Sequence, residues 1–141
     1  ALKSFIWAGI VSVPLILLNL FSNSSPNEGA IDHWWQPFYA FFPALAEEIW
    51  ARLFLVTFVY VWLQPVSGDQ SGRAIGISVL LSALIHGLAH YPESSMFSAI
   101  LSGLFVGIPL GMLFVKRDLE SAIGYHFFPV FIRWVVIFLQ V

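Results

Sequence analysis

The chain contains no cysteine, which removes disulfide bonds, thiolate nucleophiles and thiolate metal ligands and leaves the redox compartment open. Charge is nearly as scarce. Six Lys and Arg and eight Asp and Glu make up 10% of 141 residues, where a water-exposed domain averages about 25%. So few charges cannot cover a soluble surface, and a net charge of −2 argues against a nucleic-acid partner. The sequence also lacks internal repeats and any linker that would separate two domains. The first apolar run ends in Asn23-Ser24-Ser25-Pro26 without a small-x-small cleavage pattern, so it reads as a retained span and not as a removed leader.

What is present is oil. Hydrophobic residues are 59% of the chain, and mean hydropathy is +0.85. About 20 apolar residues cross a ~30 Å hydrocarbon layer as a helix, and five segments approach that length: 5–21, 38–63, 74–91, 96–115 and 119–139. In lipid each span must satisfy its own backbone, which favours helices. The expected fold is all-α, a polytopic transmembrane helix bundle of about five spans forming one domain over residues 1–141. Turn chemistry at Ser24-Ser25-Pro26-Asn27, Ser67-Gly68-Asp69 and Tyr91-Pro92 separates the segments. If every segment spans, Lys3, Arg73, Lys116 and Arg117 fall on one side, while Glu28, Asp32 and Glu93 fall on the other. That asymmetry places the amino terminus in the cytoplasm of an inner or plasma membrane.

Gly72, Gly76, Gly87, Gly103, Gly107 and Gly111 line the third and fourth segments. The last three recur every fourth residue, a small-residue face on which two helix backbones pack closely. Trp34, Trp35, Trp50, Trp62 and Trp134 suit membrane interfaces or partner helices.

The ionisable residues inside the oil need a reason, because each costs roughly 2.5–3.5 kcal/mol at the centre of a spanning helix. Glu47, Glu48 and Arg52 stand near the middle of 38–63, and His86, His90 and His126 lie in later segments. Glu48 and Arg52 are i and i+4 on one helix face and can pair. Glu47 points about 100° away and is left to act as a base. A purely structural Glu–Arg clasp is the plainer account of the pair, but it leaves the second carboxylate unexplained. His86 and His90 also share a face at i and i+4, a spacing that suits two metal ligands, although Gly87 stands where a zinc-protease glutamate would be. Each histidine alone has a blander reading as a hydrogen-bonded interior residue.

Together these residues resemble the CPBP family, membrane proteins that include type II CAAX prenyl endopeptidases and bacteriocin-processing relatives. Glu47-Glu48-Ile49-Trp50-Ala51-Arg52 is similar to its EExxxR motif. His86-Gly87-Leu88-Ala89-His90 resembles the FxxxH motif with His86 in the phenylalanine place, and His126-Phe127-Phe128-Pro129-Val130 resembles the third with Val130 in place of Asn. The resemblance covers residues 37–141. It implies an intramembrane glutamate-dependent endopeptidase with Glu47, Glu48, Arg52, His90 and His126 as its site. Glu47 and His90 would activate a water, Glu48 and Arg52 would hold the helix geometry, and His126 would donate to the oxyanion. Lipid and a peptide or protein substrate would be its partners.

The missing Asn raises the alternative of a catalytically impaired relative, a scaffold or accessory subunit of a larger membrane complex. A third reading is binding of a metal ion or pigment, with His86, His90 or His126 as ligands. Depth is an obstacle to any shared site. At 1.5 Å per residue His126 lies about 12–15 Å in from the Lys116–Arg117 side, whereas His90 falls close to the opposite face of a straight spanning helix.

Overall fold

A computed structural model describes residues 1–21, 33–67, 71–91 and 95–140. The turn expected at 24–27, the Gly68-Asp69 and Pro92 positions, and Glu28, Asp32 and Glu93 lie outside the described residues.

Helix follows helix: α1 (Leu2–Val11), α2 (Val13–Phe21), a 3₁₀ turn (Gln36–Ala40), α3 (Phe41–Glu48), a π-helical stretch (Ile49–Val56) and α4 (Thr57–Ser67). Then come α5 (Ser71–Ala89), α6 (Met96–Ser102), a second π-helical stretch (Gly103–Gly107), α7 (Ile108–Lys116) and α8 (Leu119–Gln140). The all-α expectation holds, with no strand among the described residues. Among the described residues three helices are long and apolar enough to cross a membrane, Gly72–Ala89, Met96–Lys116 and Leu119–Leu139, and the bent pair of α1 and α2 makes a fourth if it is one span. The expected first span is not straight, since α1 and α2 meet at a 51° bend. Pro14 lacks the N–H that would bond the Ile10 carbonyl, and the Ser12 hydroxyl donates to the Gly9 carbonyl at 2.8 Å. The expected second span is one helical rod from Phe41 to Ser67, with Glu47, Glu48 and Arg52 in its upper half.

The interior is built from small side chains. Ala8, Ala40, Ala44, Ala51, Ala74, Ala83, Ala99 and Ala122 are all buried, while Phe54, Phe58, Trp62, Phe97 and Phe105 point outward. Outward bulk is costly in water and is what lipid accepts. The Gly103–Gly107–Gly111 face lies against α5: a Cβ on Gly103 would sit 2.6 Å from the Ala83 carbonyl, and one on Gly111 2.8 Å from Val79. Gly72 and Gly76 do not share this duty, because nothing lies within 4 Å of a Cβ on either. A second close approach was not foreseen. A Cβ on Gly9 would strike the Phe128 ring at 2.7 Å, and one on Gly124 the Phe5 carbonyl at 2.6 Å. These two glycines seat α1 against α8, beside a cluster of Ala40, Ala44, Ile123 and Phe127.

Start and turn signals are conventional. Asp118 caps α8 by accepting the Ser121 N–H at 2.7 Å. Desolvation raises the Asp118 carboxyl pKa, but hydrogen bonds from Ser121 and Ser4 outweigh it and hold the group below its ordinary value. In the same corner the Arg117 guanidinium lies 3.5 Å over the Trp7 ring. Farther along, Asn19 ties α2 to α8, accepting from Arg133 at 2.9 Å.

Candidate active site

The ionisable residues are brought together by three separate helical stretches. Glu47 and Glu48 end α3, Arg52 follows in the π-helical stretch, His86 lies in the last turn of α5, His90 just beyond it, and His126 in the second turn of α8. One oxygen, Oε2 of Glu47, has three imidazole nitrogens around it: His90 Nε2 at 3.5 Å, His86 Nε2 at 3.7 Å and His126 Nε2 at 3.8 Å. His90 and His126 therefore meet at one carboxylate oxygen, which straight, fully spanning helices would not have brought together.

Glu48 has a different surrounding. Its Oε2 lies 3.2 Å from Arg52 Nε, with both side chains fully buried, as the i, i+4 spacing predicts. Its other oxygen, Oε1, meets His126 Nδ1 at 3.0 Å. Glu48 is thus more than half of a clasp, since it also orients the imidazole of α8.

Arg52 is held from its far side by Ser82, whose hydroxyl lies 3.4 Å from Nη1. The same hydroxyl donates to the Ala51 carbonyl. A π-helical stretch carries an extra residue per turn and disturbs the backbone ladder at its ends, and Ser82 supplies a donor to a carbonyl inside it. Sequence reasoning missed Ser82. The signal was there: Ser78, Ser82, His86 and His90 recur every fourth residue, one polar stripe down α5. Trp50 was expected at a membrane interface or against a partner helix. It stands beside the site, its ring 6.1 Å from that of His86. Tyr125, one residue before His126, lines a cavity of about 400 Å³ with Trp7 and Arg117.

The site is open on two sides. His90 has a side chain 41% exposed, Glu47 22% and His126 16%, against 3% for His86. A groove of about 510 Å³ runs from His126 between α2, α6 and α8, lined mainly by Leu15, Leu18, Leu101, Phe105 and Val130. It joins an apolar flank to the imidazole that faces Glu47. The arrangement offers a carboxylate base, an imidazole beside it, and a second imidazole on the far side held by a buried carboxylate. That set can take a proton from water and meet a developing negative charge. Glu47, His86 and His90 also place one ligand atom each within 4.8 Å of one another, as a metal site would require.

A family model described as type II CAAX prenyl endopeptidase Rce1-like matches residues 30–132, a stretch that includes all six of these side chains. No curated protein and no solved structure matches the chain.

Proposed function

The chain belongs to the type II CAAX prenyl endopeptidase Rce1-like family, and from that membership we propose that it hydrolyses a peptide bond within the membrane by a glutamate-dependent mechanism. At family level it is a membrane endopeptidase of the CAAX-protease type, with apolar helices that suit an integral membrane protein. The observation that carries the finer reading is the ring of imidazoles around Glu47 Oε2 at 3.5–3.8 Å.

In this mechanism a water bound beside Glu47 and His90 gives its proton to the Glu47 carboxylate. The hydroxide attacks the scissile carbonyl carbon, and the carbonyl π electrons move to oxygen. His126 faces that oxygen. Its Nδ1 lies 3.0 Å from Glu48 Oε1, so the buried carboxylate fixes the ring with Nε2 toward the reacting atoms. Glu48, shared between Arg52 and His126, holds both partners in place. The C–N bond then breaks, with the proton on Glu47 passing to the leaving amine. The groove that ends at His126 is the route for a substrate with an apolar portion, and an amino terminus on the cytoplasmic side follows from the Lys and Arg count.

The test uses purified protein in liposomes with a quenched prenylated CAAX peptide, the substrate class named by the family. Glu47→Gln, nearly isosteric, should lower cleavage by about 10³-fold or more while the protein stays folded and inserted. Undiminished cleavage in Glu47→Gln would remove the mechanism.

One observation favours a second reading, that of a scaffold or accessory subunit in a larger membrane complex. Val130, one turn after His126 and lining the same groove, has no polar atom where the family motif has Asn. A scaffold would keep partner assembly intact in both Glu47→Gln and His90→Ala.

A further inference from the structure

We propose that Glu47, His86 and His90 form a three-ligand site for a divalent transition-metal ion of the zinc class. The inference rests on ligand geometry and not on hydrolysis. Its starting point is His86, which the family's second motif does not call for and which the mechanism above does not use. This imidazole is buried, its side chain 3% exposed, and its Nε2 is turned toward Glu47 Oε2. Burying an imidazole is costly unless its nitrogens are engaged.

The distances indicate what would engage it. Glu47 Oε2 stands 3.5 Å from His90 Nε2 and 3.7 Å from His86 Nε2, longer than the ~2.7–3.2 Å of an N–H···O hydrogen bond. Two ligand atoms bound to one zinc ion at ~2.0–2.1 Å with tetrahedral angles lie ~3.3–3.4 Å apart. The observed separations approach that bite. The donor set, two imidazoles and one carboxylate, suits zinc and its neighbours and not a hard cation such as calcium. His86 and His90 present both nitrogens from one face of α5, and Glu47 comes from α3 opposite. An ion reaches them from the side of His90, which is 41% exposed. His126 Nε2, 3.8 Å from Glu47 Oε2, borders the remaining position. Occupancy would engage the oxygen that otherwise takes the proton from water, so a bound ion and the base role of Glu47 exclude each other.

The experiment is a titration of Co²⁺ into the purified full chain in detergent, stripped of metal and with any affinity tag removed. The expected result is the visible absorption of four-coordinate Co²⁺, saturating at one equivalent and displaced by Zn²⁺. His86→Phe should weaken binding by about 100-fold or more, since loss of a ligand costs at least as much as loss of its outer-shell support. His33→Ala, an exposed imidazole stacked on Trp35, should leave binding unchanged. Glu47→Gln gives the same reading as His86→Phe if that variant does not fold. No visible band, or a band of equal affinity in both His86→Phe and Glu47→Gln, overturns the site. Cleavage assays do not enter this outcome, so the metal site and the protease reading fail separately.

Discussion

At the scale of single residues, the site separates two adjacent carboxylates by what surrounds them. Glu48 is fully buried between Arg52 and His126, whereas Glu47 keeps partial access and faces only imidazoles. That division was legible, because helix geometry sets neighbouring residues about 100° apart and i, i+4 residues together. The second partner of Glu48 was not, since His126 is 78 residues away and no local rule links them. Val130 carries the sharpest prediction here. It stands one turn from His126 on the groove side of α8, and an amide there would add a second donor to the oxyanion. Loss of such a donor typically costs about 10²–10³ in rate. Val130→Asn should therefore raise kcat by about 10-fold or more in the cleavage assay with little change in KM, whereas a scaffold that performs no chemistry would gain nothing.

At the scale of elements, apolar length and turn residues were enough to place the helices, and the small-residue face of the fourth segment was enough to predict close packing. The irregularities were harder to read. Pro14 marks the bend between α1 and α2, but no residue type announces the π-helical stretch Ile49–Val56. One of its carbonyls, that of Ala51, takes a hydrogen bond from Ser82 of α5, a pairing between segments that no local rule gives. The glycines make a testable contrast. A side chain on Gly103 meets the Ala83 carbonyl at 2.6 Å, a backbone atom that cannot rotate aside, whereas Gly76 has open space. Gly103→Val should push α6 from α5 and cost about 1–3 kcal/mol. Gly76→Ala should be neutral or stabilise by up to about 1 kcal/mol through helix propensity. Unfolding of each variant in mixed micelles compares the two. Equal effects would mean that the glycine face does not set the α5–α6 distance.

At the scale of the molecule, the question is what makes greasy helices adopt one arrangement when lipid solvates their side chains as well as a neighbouring helix does. The interior has few large apolar residues to interlock, and its largest fully buried side chains include Arg52 and Glu48. These two, with Ser82 and His126, connect the rod from Phe41 to Ser67 with α5 and α8 through 3.2 Å, 3.4 Å and 3.0 Å contacts. The meeting of His90 and His126 at Glu47 is the consequence. A polar cluster in an apolar surround accepts few alternative registers, because any slip strands a charge. Removing one partner of a buried pair costs about 3–5 kcal/mol, while removing both with similar volume is often neutral. Arg52→Leu should therefore destabilise the bundle by about 3–5 kcal/mol in a micelle unfolding titration. Adding Glu48→Gln to Arg52→Leu should restore most of that loss, because the amide carries no stranded charge and can still meet His126. A double variant as unstable as Arg52→Leu would show that Arg52 acts by filling space, and that the register comes from helix packing alone.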